Sequence, residues 1–210
     1  MKKEELRKEA AARRDSLRAE EREEKSARIA ETVGALPEFR RADAVCCYAS
    51  FRTEVATERI MASALQEGKA LFCPRILDAK ASRMEFFRVT QQESELTAGT
   101  MGIPEPEGHT QSLPDWCAEK NAQAVRPFLF FVLPGLAFDS ARRRIGYGKG
   151  FYDTYLQKLQ QADRAEITTC AIAFPCQLFP APLPESPLDI RPDILVTDAE
   201  IIRGESPEKG

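Results

Sequence analysis

The sequence is poor in side chains that bind transition metals. His109 is the only histidine, and no two of the six cysteines form a Cys-x-x-Cys pair. A zinc site would therefore have few ligands to draw on. Four of the cysteines lie in apolar, strand-like runs, which favours buried, reduced thiols over disulfides or a metal site. The cysteines are Cys46, Cys47, Cys73, Cys117, Cys170 and Cys176.

The sequence also lacks long apolar runs and a strong charge of either sign. No run approaches the ~20 residues of a membrane span, and residues 1–31 lack the apolar segment of a signal peptide. The formal net charge of −3 gives no case for a nucleic-acid coat or a membrane-surface protein. We expect a cytoplasmic monomer with one domain over residues 1–203 and a frayed tail at 204–210, binding neither nucleic acid nor membrane.

Helix-like and strand-like segments alternate along the chain. This order predicts an α/β fold with three layers, in which a mainly parallel or mixed sheet is flanked by helices. Residues 99–108 are predicted to form an ordered loop, and residues 112–126 show no clear pattern. The stretch 175–192 contains six prolines and is predicted to be irregular. The predicted helices are 2–35 with a break near 17–19, 57–67 and 152–161, and the predicted strands are 43–49, 69–74, 84–89, 128–133, 168–174 and 193–197.

A glycine-rich segment, Arg144-Ile145-Gly146-Tyr147-Gly148-Lys149-Gly150-Phe151-Tyr152-Asp153, is the most informative part of the chain. Glycine lets the backbone adopt φ > 0 and approach a ligand closely, and successive N–H groups can form an anion-binding nest. Arg144 and Lys149 add positive charge, and Asp153 adds the oxygen ligand that Mg²⁺ prefers. The segment predicts a nucleotide-phosphate and Mg²⁺ site, although a glycine-rich surface turn before a helix is the alternative.

The neighbours of this segment favour the phosphate site. Residues 128–133 form a continuous apolar run, which is typical of a strand buried on both faces. After the glycines, the apolar residues recur at helical spacing. The loop is therefore expected between a core strand and a helix N-terminus, where N–H groups and the helix dipole favour anions. Its spacing matches neither the Walker A loop nor the dinucleotide fingerprint.

Four further residues are candidates for the same site. Lys3 and Arg7 are four residues apart and share a helix face, although a solvated charged face would look the same. Asp189 is a second acidic position whose alternative role is a turn aspartate. Glu54 follows the first predicted strand, and ligands of open α/β sheets bind beyond the carboxyl ends of strands. A solvated loop glutamate is the alternative for Glu54.

The chain resembles the 5-formyltetrahydrofolate cyclo-ligase family, also called methenyltetrahydrofolate synthetases. Leu133-Pro134-Gly135-Leu136-Ala137-Phe138-Asp139 followed by the glycine-rich segment is similar to the signature of that family. Four more matches occur in the right order, so the similarity covers nearly the whole chain. They are Lys3…Leu6-Arg7; Tyr48-Ala49-Ser50…Glu54-Val55…Thr57; Gly102-Ile103-Pro104-Glu105-Pro106; and Ala173-Phe174…Gln177 with Leu188-Asp189…Asp193.

The resemblance implies an ATP- and Mg²⁺-dependent ring closure on a fold similar to the ribose-phosphate isomerase and CoA-transferase group. ATP would phosphorylate the formyl oxygen of 5-formyltetrahydrofolate, and nitrogen 10 would then attack the activated carbon. Loss of phosphate would leave 5,10-methenyltetrahydrofolate, ADP and phosphate. Such a protein mainly positions the γ-phosphoryl group and neutralises its charge.

The resemblance also implies a role for each matching residue. Lys149 and Arg144 would be catalytic, and Asp153 and Asp189 would bind Mg²⁺. The ATP ligands would be Lys3, Arg7, Arg144, Ile145, Gly146, Tyr147, Gly148, Lys149, Gly150, Phe151 and Tyr152. The folate ligands would be Ala49, Glu54, Tyr147, Gly148, Lys149, Gly150 and Phe151. The chain departs from common family residues at Ala49, Tyr147, Phe151 and Leu188, which bears on folate affinity rather than on the reaction.

Two other functions compete with the cyclo-ligase. A small-molecule kinase could use the same loop but would leave the phosphate on its product. A nucleotide-sensing module would bind ATP through Lys3, Arg7 and the loop without turning it over. RNA binding by the basic N-terminal helix is disfavoured, because the total charge is acidic and no aromatic residues are interleaved.

Overall fold

A seven-stranded sheet lies at the centre of the structure, a computed structural model that describes residues 2–91, 95–99, 102–106 and 110–204. The described α-helices are α1 (Lys3–Asp15), α2 (Ala19–Ala35), α3 (Pro37–Arg41), α4 (Glu58–Gln66), α5 (Leu113–Ala122) and α6 (Phe151–Ala162), and a 3₁₀-helix spans Pro175–Gln177. The described strands are β1 (Ala44–Cys47), β2 (Ala70–Asp78), β3 (Arg83–Val89), β4 (Leu96–Ala98), β5 (Pro104–Pro106), β6 (Phe128–Leu133), β7 (Ala137–Asp139), β8 (Arg144–Ile145), β9 (Glu166–Ile172), β10 (Leu178–Phe179), β11 (Ile194–Val196) and β12 (Ile201–Arg203).

The order of the strands creates a switch point in the middle of the sheet. The order is β12-β11-β9-β6-β1-β2-β3. The strands from β11 to β2 are parallel, whereas β3 and β12 are antiparallel to their neighbours. After β1 the chain adds β2 on one side and then β6, β9 and β11 on the other. The carboxyl ends of β1 and β6 therefore flank the crevice where α/β sheets of this kind bind ligands.

Helices cover both faces of the sheet because the central strands β1 and β6 are apolar on both sides. On one face, α2, α3 and α4 bury Ile29, Phe39 and Ile60 against alternate residues of the strands. On the other face, α5 and α6 bury Trp116 and Leu156 against the intervening residues. This continuous burial explains why β1 and β6 are apolar throughout.

Helix α1 lies outside these two layers, on a small sheet of order β10-β7-β8. Leu6 and Ala10 form its buried stripe and pack against Ile145, Phe179 and Leu183. This packing turns the neighbouring face of α1 towards the glycine-rich segment. The small sheet therefore brings the N-terminus to the crevice beside β1 and β6.

The α/β prediction is confirmed, as are the six predicted strands and the break between α1 and α2. Residues 112–126, which show no clear pattern, contain α5; Ser112 caps this helix by accepting a hydrogen bond from the Asp115 N–H at 3.3 Å. The loop prediction for residues 99–108 is wrong at Pro104–Pro106, which pairs with β4. Prolines are tolerated there because the strand lies in a two-stranded ribbon. The short strands β7, β8, β10 and β12 were also not predicted.

The cysteine prediction is confirmed, because all six are free and five are buried. Burial raises the pKa of Cys117 to about 11 and that of Cys73 to about 12, so these thiols stay protonated at neutral pH. Among the described helices, none is both long and apolar enough to cross a membrane. His109 and residues 205–210 of the expected tail lie outside the described residues, and the domain limits stay a prediction.

Candidate active site

The predicted phosphate and metal residues meet in one cavity of about 280 Å³. It lies where the chain leaves β6, at the switch point of the sheet. Pro134 contributes to the wall. The other residues that line it are Lys3, Arg7, Arg144, Ile145, Gly146, Tyr147, Gly148, Lys149, Gly150, Phe151, Tyr152, Asp153 and Asp189. Every residue predicted to bind ATP or Mg²⁺ therefore faces this one cavity.

The glycine-rich segment leads from β8 into the N-terminus of α6. The hairpin β7–β8 separates it from β6, so the expected strand–loop–helix order holds with one insertion. Gly150 caps α6 with a φ of +67°, and Gly148 has a φ of +93°. A Cβ atom on Gly148 would lie 3.1 Å from the Arg7 guanidinium carbon. Both positions therefore favour glycine, and the loop brings a helix N-terminus to the cavity.

Helix α1 presents two cations to this loop and a third to Asp189, on the wall of the same cavity. Lys3 Nζ lies 2.5 Å from Asp189 Oδ2, and Arg7 Nε donates to the Gly146 carbonyl at 2.9 Å. Two turns further along α1, Arg14 Nη1 donates to the Tyr147 hydroxyl at 2.9 Å. Arg14 was missed as a site residue in the sequence, although residues 3, 7 and 14 share one helix face at 3.6 residues per turn.

Arg144 and Asp153 form a second ion pair on the wall of the cavity. Arg144 Nη2 lies 2.6 Å from Asp153 Oδ1, and Arg144 Nη1 donates to the Pro134 carbonyl at 3.1 Å. The Arg144 side chain is only 4% exposed. Its Nε is buried and finds no hydrogen-bond acceptor among the described residues. A buried donor without a partner is costly, so a ligand oxygen there would be stabilising.

The two aspartates predicted to bind metal lie close to each other in the fold. Asp153 Oδ1 accepts a hydrogen bond from the backbone N–H of Ile190, the residue after Asp189, at 3.0 Å. Asp189 Oδ2 accepts from the Ser186 N–H at 2.8 Å and from Lys3. Burial opposes ionisation of Asp189, but these hydrogen bonds outweigh it and lower the pKa of its carboxyl group.

This acidic pair does not make a protein-only metal cage. Within residues 2–91, 95–99, 102–106 and 110–204, no group of three or more histidine, cysteine, aspartate or glutamate side chains could hold a metal ion. Mg²⁺ is commonly held by one or two carboxylates together with substrate phosphates and water. Asp153 and Asp189 therefore fit a Mg²⁺ ion that arrives with a nucleotide.

Glu54 lies beside the cavity and is joined to the glycine-rich loop through Tyr147. The Tyr147 hydroxyl donates to Glu54 Oε1, and Glu54 Oε2 accepts from the Phe51 N–H at 3.0 Å. Arg14 Nε also donates to Thr53 Oγ1 at 3.1 Å, which ties α1 to the same loop after β1. Burial raises the pKa of Glu54, and it does so more than these hydrogen bonds and the Arg14 charge lower it.

Ala49 and Lys149 complete the predicted set. Ala49 is 5% exposed just after β1, and it is not among the residues that line the cavity. Lys149 is exposed at the cavity. It makes no ion pair within the described part of the chain, in contrast to Lys3 and Arg144. Its charge is therefore available to a ligand.

The fold and the cavity define an α/β protein with a cationic, glycine-lined pocket at the switch point of its sheet, a setting suited to anionic ligands. A family model described as the 5-formyltetrahydrofolate cyclo-ligase family matches residues 1–198. The chain therefore belongs to the 5-formyltetrahydrofolate cyclo-ligase family, and it is an enzyme.

Individual relatives agree with this assignment. The chain is 33% identical over 211 residues to the mitochondrial 5-formyltetrahydrofolate cyclo-ligase of Arabidopsis thaliana, covering 94% of this chain and 73% of the relative. It is 30% identical over 175 residues to the 5-formyltetrahydrofolate cyclo-ligase of Mus musculus, covering 83% of each. An NMR structure of Aquifex aeolicus 5,10-methenyltetrahydrofolate synthetase superposes with a TM-score of 0.76 at 31% identity, over 99% of this chain and 97% of that one.

Proposed function

We propose that this chain converts 5-formyltetrahydrofolate to 5,10-methenyltetrahydrofolate at the expense of ATP, releasing ADP and phosphate. The observation that best supports this is the convergence of Arg7, Lys149, Asp153 and Asp189 on one cavity, with Glu54 joined to the same loop. Phosphate ligands, metal ligands and a folate ligand would then lie within reach of one reacting centre. Membership of the cyclo-ligase family points to 5-formyltetrahydrofolate as the substrate.

The reaction needs activation because the formyl group is amide-like. Its carbon is a poor electrophile, and its oxygen is a poor leaving group. In the proposed first step the formyl oxygen attacks the γ-phosphorus of ATP, and the bond to ADP breaks. Nitrogen 10 then attacks the formyl carbon, and the C–O bond breaks with loss of phosphate and of the nitrogen-bound proton. One C–N bond is formed for each ATP consumed.

The residues of the cavity suit the first step. Lys149 and the N–H groups of the glycine-rich loop would hold the transferring phosphoryl group, and Lys3, Arg7 and Arg144 would hold the other phosphates. Asp153 and Asp189 would hold Mg²⁺, which neutralises phosphate charge when bound. Lys3 and Arg144 would exchange their present aspartate partners for phosphate oxygens. Two of the cations that would bind phosphate are therefore already paired with the two carboxylates that would bind Mg²⁺.

Glu54 is placed to bind the folate. Its carboxylate lies after β1, at the carboxyl edge of the sheet, and could accept hydrogen bonds from the N–H groups of the pterin. A pocket built on such pairing rejects ligands that would leave its buried polar groups without partners. We also propose that the protein acts as a monomer, and that it works in the cytoplasm, a reducing compartment that its free cysteines suit.

An absorbance assay tests the proposal directly. 5-Formyltetrahydrofolate is incubated with the protein, with and without Mg²⁺ and ATP, and methenyltetrahydrofolate is followed by its absorbance. We expect product only with both, together with equimolar ADP and free phosphate. A phosphorylated product without free phosphate would indicate a kinase. Nucleotide binding without any folate-dependent turnover would indicate a sensing module.

A further inference from the structure

The loop residues Gly146 and Tyr147 are held by the groups that the two proposed substrates need. Arg7, a proposed phosphate ligand, is bound to the Gly146 carbonyl at 2.9 Å. Glu54, the proposed folate ligand, is bound to the hydroxyl of the next residue, Tyr147. Each substrate would therefore compete with one of two adjacent loop residues for its partner.

These two contacts form a single latch, because the Gly146 carbonyl and the Tyr147 nitrogen belong to one planar peptide unit. Tyr147 is flanked by Gly146 and Gly148, and Gly148 has a φ of +93°. Loss of either contact therefore leaves this part of the loop held by fewer contacts. The Arg14 guanidinium is buried and donates to the same hydroxyl at 2.9 Å, so it fixes the direction in which the Tyr147 ring points.

We propose that Tyr147 is a positioning residue that couples the nucleotide site to the folate site, an inference that rests on the proposed function. With both sites empty, its hydroxyl occupies Glu54 and closes the folate site. Nucleotide phosphates withdraw Arg7 from Gly146 and loosen the loop, so Tyr147 leaves Glu54 more easily. Folate withdraws Glu54 and frees the loop for phosphate. Such coupling is reciprocal, because each ligand must favour the other by the same factor.

This role belongs to the particular side chain at position 147. A phenol donates one hydrogen bond to a carboxylate, and such bonds to charged acceptors contribute enough to change an affinity by about tenfold or more. Phenylalanine keeps the ring and removes the hydroxyl, which donates to Glu54 and accepts from Arg14; Arg14 keeps its hydrogen bond to Thr53. Tyr147 is 51% exposed, so the substitution leaves the packed core unchanged.

Binding titrations of wild type and Tyr147→Phe test the latch. The dissociation constants of 5-formyltetrahydrofolate and of a non-hydrolysable ATP analogue with Mg²⁺ are measured separately and then each in the presence of the other. In wild type we expect each ligand to tighten the other about tenfold. In Tyr147→Phe we expect each ligand alone to bind more tightly than in wild type, while the coupling factor falls towards one. A merely structural loss would weaken both ligands instead.

Tyr155→Phe is the matched control. Tyr155 Oη donates to Glu85 Oε1 at 2.6 Å, so this variant removes the same kind of hydrogen bond outside the glycine-rich loop. We expect it to keep the wild-type coupling factor.

Three results would overturn the latch: an unchanged coupling factor in Tyr147→Phe, weaker folate binding by this variant without nucleotide, or nucleotide binding that is no tighter than in wild type. If wild type bound nucleotide but not 5-formyltetrahydrofolate, the proposed function would fail first. The nucleotide titration would then still decide whether the hydroxyl restrains the loop.

Discussion

Two cavities of nearly equal size flank helix α6, and they differ in what lines them. The first, of about 280 Å³, lies at the N-terminus of α6 and contains the glycine-rich loop. The second, of about 300 Å³, lies along the side of α6, between this helix, α5 and the β2–β3 hairpin. Volume therefore does not distinguish them.

Their charges and positions distinguish them. In the first cavity, Arg144 and Lys3 are paired with aspartates from distant parts of the chain. In the second, apolar residues such as Met84 and Leu159 form the buried wall, and exposed cations such as Lys158 lie at the rim. Only the first lies at the switch point of the sheet. Paired opposite charges, backbone N–H donors and a position at the switch point of the sheet therefore distinguish the candidate active site from a cavity of similar volume.

The largest difference between the cavities should appear when one lysine is removed from each. Lys149→Ala should lower the rate of methenyltetrahydrofolate formation roughly 100- to 1,000-fold, because a charge that stabilises the transferring group is lost. The stability should not change, since Lys149 is exposed. Lys158→Ala in the second cavity should retain the wild-type rate. Steady-state kinetics check both variants, and near-normal turnover of Lys149→Ala would refute its role.

Replacing one arginine at each cavity compares how the two cavities contribute to the stability of the fold. Arg144→Ala should lower the free energy of unfolding by about 3 kcal/mol, because it breaks an ion pair in which the arginine is buried. Arg164, at the second cavity, is exposed, so Arg164→Ala should change this free energy by less than about 0.5 kcal/mol. Urea unfolding measures both. Equal changes in the free energy of unfolding of the two variants would mean that the Arg144–Asp153 pair does not stabilise the fold.

Two half-buried glutamates, one beside each cavity, compare how ligand binding depends on the two sites. Glu54→Gln should weaken 5-formyltetrahydrofolate binding about tenfold or more, since hydrogen bonds to a charged acceptor are lost. Its effect on the binding of the ATP analogue should be much smaller. Glu85→Gln, beside the second cavity, should affect neither ligand. Titration of each ligand into each variant decides the matter, and equal loss of both ligands in Glu54→Gln would indicate a folding defect.

A smaller effect should appear in the pH dependence of folate binding. Burial raises the pKa of Glu54 above its ordinary value of 4.5. The carboxylate accepts hydrogen bonds and the neutral acid accepts them less well, so folate affinity should fall as the pH is lowered through that raised pKa. Glu54→Gln should abolish this loss. Titrations between neutral and weakly acidic pH test it, and a variant with the wild-type profile would place the titrating group elsewhere.

The same raised pKa has a consequence for stability with the opposite sign. The folded protein binds more protons than the unfolded chain at pH values between the two pKa values of Glu54. Its contribution to stability therefore falls as the pH rises above 4.5 and through the raised pKa. Folate binding and stability should thus respond to Glu54 in opposite directions over this range.

The fold could be predicted because its signals are local. The apolar runs of β1 and β6 and the helical spacing after Gly150 depend on neighbouring residues alone. The glycine-rich loop was predicted for the same reason. Residues 112–126 were harder, since α5 buries little more than one turn of apolar side chains, at Leu113, Trp116 and Cys117.

The partners within the site could not be predicted, because they depend on contacts between distant residues. Lys3 and Asp189 are 186 positions apart, and Tyr147 and Glu54 are 93 apart. Which side chains meet is decided by how α1 packs on the small sheet and how the loop after β1 faces the loop before α6. Arg14 had a local signal, its shared face with Lys3 and Arg7, but the contact with Tyr147 had none.

A crystal structure with Mg²⁺ and a non-hydrolysable ATP analogue would test most directly that the first cavity is the nucleotide site. We expect the phosphates against Lys149 and Arg7, the metal between Asp153 and Asp189, and Lys3 moved from Asp189 to a phosphate oxygen. A nucleotide bound in the second cavity, or one bound in the first with the Lys3–Asp189 pair still intact and no metal on either aspartate, would contradict this assignment.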